Sequence, residues 1–289
     1  MLVKEAIPTP PYVLHHRTRG VNGSGGRHIP ETEPGYRMVD RRVVPGADRF
    51  LLNERLRIDG GPGVNLTANH VVGSAVHANR LLHSIWSMKT VLPGSSNEVS
   101  AFDVIMADRK AVSNAVGSAF ARGIDSYADT GLTLNPKQSG NPDLLPTPVY
   151  ERMVRAEAAG EKPEWTRVSS GVELKSTCGG VEEPELSYPC DATRVGMLRS
   201  IRWVAHHDKN RCVIGLFWDY MAGVPQIVGV FYADRLVEGD YTRPGEIGER
   251  STNSRSLLRA GLDKFRYVCV LNDARYLDAV SRHLPCCGL

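Results

Sequence analysis

The chain has 289 residues, 42% of them hydrophobic and 23% charged, with a formal net charge of +3. That length buries one large core or two smaller ones, and no apolar run is long enough to cross a membrane. The six cysteines form no C-x-x-C pair, and a chain this long does not need a disulfide framework, so buried free thiols are expected.

The first residues, Met-Leu-Val-Lys-Glu-Ala-Ile-Pro, lack the charged-then-apolar order of a secretory signal, which makes an intracellular location the expectation. Residues 1–35 are rich in proline and glycine, with Arg17, Arg19 and Arg27 among them, and cannot bury enough apolar surface to fold alone. They read as an extended arm. A mixed, mainly helical region follows over 36–161. It opens with strand-like pieces at Tyr36–Val44 and Phe50–Ile58. Thr67 caps a helix predicted over 68–89, on which Val71, Val72, Ala75, Val76, Leu82, Ile85 and Trp86 share a face. A second helix is predicted over 98–122 with Gly123 as its C-terminal glycine, and a third over 148–159, capped by Thr147 and opened by Pro148.

Residues 162–192 are irregular and acidic and read as a linker. From 193 to 289 the chain is β-rich, with strands predicted over 199–205, 212–220, 226–232 and 265–271. The fold class expected is therefore α+β, a helical middle followed by a C-terminal antiparallel β-sandwich. Counted from the sequence, residues 1–60, 61–193 and 194–289 carry +3, −4 and +4. Basic ends suit a polyanionic partner.

No catalytic signature stands out. Cys178 with His206, His207 or His283 offers thiol and imidazole for a cysteine–histidine hydrolase, without flanking residues that support it. The paired histidines His15-His16 and His206-His207 point apart in a strand, and no phosphate-cradling glycine motif is present, so neither a metal site nor a cofactor is expected. Nucleic-acid contact has broader support. Arg17, Arg19, Arg27, Arg41 and Arg42 lie in or near the arm, where they could neutralise phosphates, and Arg199 and Arg202 open the strand-rich part.

In the C-terminal part Arg194-Val-Gly196, the strand Ser200–Ala205, Asp219 with Gly223 and Pro225, and Asp263-Lys264-Phe265 with Val270-Leu271, Asp273 and Arg275-Tyr276 occur in a fixed order. This block resembles the coat proteins of small single-stranded DNA viruses with circular genomes, the geminivirus-like group. The resemblance implies a jelly roll and a capsid subunit that assembles with copies of itself around a viral genome, located in the virion and, during assembly, inside the host cell. It implies no membrane partner, no reaction and no cofactor. Two other readings stay open beside it: a non-capsid nucleic-acid-binding protein of viral origin, and the cysteine–histidine hydrolase.

Overall fold

A computed structural model describes residues 44–289 except 88, 92–97, 101–108, 138–139, 167, 179–194, 196–197, 199, 206–210, 222–223 and 243–254. The arm and nearly all of the strand expected at 36–44 lie outside the described residues.

In chain order the elements begin with Phe50–Leu52 (β1), Arg57–Ile58 (β2), Leu66–Thr67 (β3) and Ala68–Ser87 (α1). Lys89–Val91 (β4), Glu98–Ser100 (β5), Arg109–Asp125 (α2), Leu132–Leu134 (β6), Leu144–Pro146 (β7), Thr147–Ala158 (α3) and Glu173–Thr177 (β8) follow. Then come Val204–Ala205 (β9), Val213–Met221 (β10), Val224–Ala233 (β11), Arg255–Ser256 (β12), Arg259–Leu262 (α4), Arg266–Leu271 (β13) and Ala274–His283 (α5). One five-stranded sheet organises them, in the order β1-β13-β11-β10-β8. Its pairs are antiparallel except β10 with β8, which run parallel.

The molecule is thus mixed α and β, as expected, but its sheet is not confined to the C-terminal part. Phe50–Leu52 and Glu173–Thr177 supply its two edges, and the second of these lies in the segment read as a linker. The other sheets among the described residues are two-stranded, so the large facing sheet of a jelly-roll sandwich is not seen there. The central strands are covered on both sides: all ten residues of β11 and all but the last of β10 are buried. Such strands read as unbroken apolar runs, which is why they were legible in sequence.

Helices α1 and α2 pack on each other, α1 lies against β11 and β13, and α2 lies against β8. The predicted start of α1 is correct. Thr67 Oγ1 accepts from the His70 N–H and His70 Nδ1 accepts from the Thr67 N–H, a reciprocal cap with histidine in the place glutamate usually takes. The second helix starts later than expected. Glu98–Ser100 pairs with Lys89–Val91 as β5, and α2 begins at Arg109 and runs past Gly123 to Asp125. Gly123 is explained by packing instead, since a Cβ there would stand 2.9 Å from the Ser74 Cα of α1.

Asn79 is a weak helix former in the middle of α1 and is fully buried. Its amide explains its presence. Nδ2 donates to the Ile227 carbonyl at 3.1 Å and Oδ1 accepts the Ile227 N–H at 2.6 Å, where β11 has run beyond its pairing with β13. The helix thereby supplies the two bonds a further strand would supply. After β13 the structure adds α5, which the sequence reading did not assign. Asp273 caps it by accepting the Arg275 N–H, and Tyr276, Ala279 and Val280 form its buried stripe.

Replacing Asn79 by alanine strands the Ile227 N–H and carbonyl without water, so unfolding should cost about 2–4 kcal/mol less than in the parent. Denaturant melts measure this; an unchanged midpoint would show that the clasp carries no stability.

Candidate active site

Strand β8 begins Glu173-Leu174-Lys175, and a strand places alternate side chains on opposite faces. Ser176 donates its hydroxyl to the Ser113 carbonyl of α2 at 3.0 Å, so Glu173 and Lys175 face away from the helices. In the parallel register with β10, Glu173 stands beside Val213 and Lys175 beside Gly215. A Cβ on Gly215 would fall 2.1 Å from the Trp203 ring, so the indole covers the sheet where that side chain is missing. Trp203, Phe217 and Phe265 form an aromatic wall on this face, with ring centroids 6.0 Å and 4.8 Å from that of Trp203.

The other edge of β8 meets the segment that leads into β7. Leu144 and Val172 exchange both backbone bonds, at 3.1 Å and 2.9 Å. This antiparallel bridge sets Asp143 opposite Glu173, one residue along. The approach is close. Gly171 has φ of +122°, and a Cβ there would lie 2.2 Å from the Leu144 carbonyl oxygen, so glycine is required by both conformation and space. Asn135 holds the loop before Asp143 in place: its backbone N–H donates to the Asp143 carbonyl, and its side chain donates to the carbonyls of Pro142 and Trp165.

The result is two carboxylates and one ammonium in a largely dry place. Glu173 is 1% exposed, its N–H donates to the Cys212 carbonyl at 3.1 Å, and its Oε1 is paired with the Lys175 ammonium. Its Oε2 is buried with no hydrogen-bond partner among the described residues. Asp143 Oδ2 accepts the Leu174 N–H at 2.7 Å. Burial first, and the facing Glu173 carboxylate second, raise the Asp143 pKa to about 7, against the opposing pull of Lys175 and the Leu174 N–H. Tyr241, also buried, has its phenol pushed upward by burial, by Asp240 and by Glu173.

Like charges placed across a strand pair destabilise the ladder, and a buried carboxyl oxygen without a partner is costly. A small hard cation relieves both faults. Mg²⁺ and Mn²⁺ take oxygen donors, commonly one or two carboxylates, and fill the remaining positions with water and substrate phosphate. Asp143 and Glu173 offer oxygen donors of that kind, and among the described residues no third His, Cys, Asp or Glu joins them.

These residues were not singled out from sequence. The available signal was Glu173-Leu-Lys175, a charged pair on one face of a strand flanked by apolar Val172 and Leu174, preceded by Pro142-Asp143. Of the arginines proposed for nucleic acid, Arg17, Arg19, Arg27, Arg41, Arg42 and Arg199 lie outside the described residues. Arg202 is described, exposed, and adjacent in sequence to the Trp203 that walls the site. Of the cysteine–histidine candidates, Cys178 is partly buried just beyond β8, and His283 ends α5 with its imidazole held toward neutrality by burial. Cys212 has its thiol pushed up to about 11, chiefly by burial, which disfavours a thiolate. No family model, curated protein or solved structure matches this chain.

The raised Asp143 pKa has a definite sign for stability. The folded state favours the neutral acid, so the contribution is complete below the unfolded value and is lost as pH rises toward about 7. In cation-free protein, Asp143→Asn should therefore raise Tm relative to the parent by roughly 2–4 °C near pH 8, and the difference should shrink near pH 4. Scanning calorimetry in chelator reads it, and a difference that does not vary with pH contradicts the assignment.

Proposed function

We propose that this protein is a divalent-cation-dependent phosphodiesterase acting on nucleic acid. The observation that carries the reading is the buried pairing of Asp143 with Glu173, whose Oε2 lacks a partner, beside Lys175 on the same face of β8. Two facing carboxylates would repel an anionic substrate unaided, so a phosphate approaches only through a cation held between them. Bound there, the cation would polarise a phosphoryl oxygen and lower the pKa of a coordinated water.

The protein's own groups do the rest. Asp143 and Glu173 hold the ion. Lys175, on the same face of β8 as Glu173, offers a positive charge to the phosphoryl oxygens as negative charge accumulates there. The water oxygen bonds to phosphorus as the ester P–O bond breaks. One water proton passes to solvent and the leaving oxygen takes another, giving an alcohol and a phosphomonoester. Trp203 and the aromatic wall exclude bulk water from this face. The basic ends of the chain and exposed Arg202 favour a polyanion over a small phosphate ester.

The coat-subunit reading is a second proposal, supported by the order of the C-terminal residues and the proline- and glycine-rich arm. It would place the packaged genome against the arm arginines. The two readings predict different results.

Purified protein incubated with plasmid DNA or with RNA and Mg²⁺ or Mn²⁺ should cleave the polymer, with chelator abolishing cleavage. Asp143→Ala and Glu173→Gln should each lower the rate at least about 100-fold. Cleavage that survives both substitutions, or no cleavage with either ion alongside regular particles in electron micrographs, would overturn the phosphodiesterase reading; the particles would favour the coat reading.

A further inference from the structure

We propose that Lys175 is a resident counter-ion that occupies the cation site through Glu173 and must swing away before a divalent cation binds, so that the chain's own ammonium sets the affinity for the ion. The inference rests on the reading of Asp143 and Glu173 as cation ligands.

Three observations converge on it. The Lys175 ammonium is bonded directly to Glu173 Oε1, so one of the carboxylate oxygens a cation would use is already taken. Oε2 of that carboxylate has no partner among the described residues. A cation reaching for both carboxylates meets the ammonium as an immediate like-charged neighbour, and one of the two must yield.

The geometry decides which moves. Glu173 is 1% exposed on a strand paired on both edges, by β10 and by the Leu144 bridge, and its backbone N–H is committed to the Cys212 carbonyl. Lys175 carries its charge on a flexible four-carbon stem, and its side chain is 15% exposed. The flexible stem lets the ammonium leave Glu173 without disturbing the strand. One side chain thus holds the cation-free site together and yields when the cation arrives.

Binding of Mn²⁺ alone tests this, by calorimetric titration and by loss of the free-ion paramagnetic resonance signal, without nucleic acid. Lys175→Met and Lys175→Gln, both checked for native circular dichroism and cooperative melting, should bind Mn²⁺ at least about tenfold more tightly than the parent. Lys175→Arg retains a charge and should stay within about threefold of the parent. Glu173→Gln should lose binding. In the parent protein, the Lys175 ¹³Cε resonance should shift on saturation with diamagnetic Mg²⁺. Equal or weaker binding by both neutral variants, with binding still abolished by Glu173→Gln, sinks the counter-ion proposal and leaves the cation site standing. Absence of binding in the parent and in both neutral variants sinks the cation site as well.

Discussion

Two backbone hydrogen bonds between Leu144 and Val172 are the constraint on which the rest turns. They join a segment that belongs to the β6–β7 pair to the edge of the central sheet, and the antiparallel register leaves no freedom about which side chains then face each other. Asp143 must stand opposite Glu173. Gly171 makes this contact possible, because any side chain there would collide with the Leu144 carbonyl. A slip of one residue would send Glu173 and Lys175 to the helix side, where Leu174 and Ser176 now pack.

The sheet supports that arrangement by treating its two faces differently. One is covered by α1 and α2, and the amide of Asn79 closes the unpaired end of β11 from the helix side. The other carries Trp203 over Gly215, with Phe217, Phe231 and Phe265 nearby. Burying a large apolar side chain contributes about 1.5–3 kcal/mol each, so this core tolerates a charged trio at one edge strand that no compact fold would select for stability alone. A buried charge pair with an unsatisfied oxygen is the kind of local conflict that marks a working site.

Four of the C-terminal residues that carry the viral resemblance have local partners within the fold. Asp219, fully buried at the end of β10, accepts the Val195 and Tyr220 N–H groups. Asp273 caps α5 and binds the Arg275 guanidinium, which in turn lies 5.6 Å from the centroid of the Tyr276 ring. Tyr276 anchors the helix in the core. Asp219 at the strand end and Arg275 and Tyr276 at the helix start influence one another electrostatically.

Local sequence was enough for α1, α3, β10, β11 and β13: an apolar stripe marks α1, Pro148 and Gly160 bound α3, and dense runs of β-branched and aromatic residues mark the strands. Composition showed the basic ends, and the five described cysteines are free. Local sequence could not show that β1 and β8 complete the same sheet, since a three- or five-residue edge strand has too few alternations to stand out from a loop. Nor could it assign α5, whose stripe of Tyr276, Ala279 and Val280 is short. The candidate site was out of reach for a related reason: Asp143 and Glu173 are thirty positions apart, and the local signal in Glu173-Leu-Lys175 does not say which other acid faces it. Only the tertiary pairing of Leu144 with Val172, and the burial that comes with it, turns two separate carboxylates into a single electrostatic unit with Lys175.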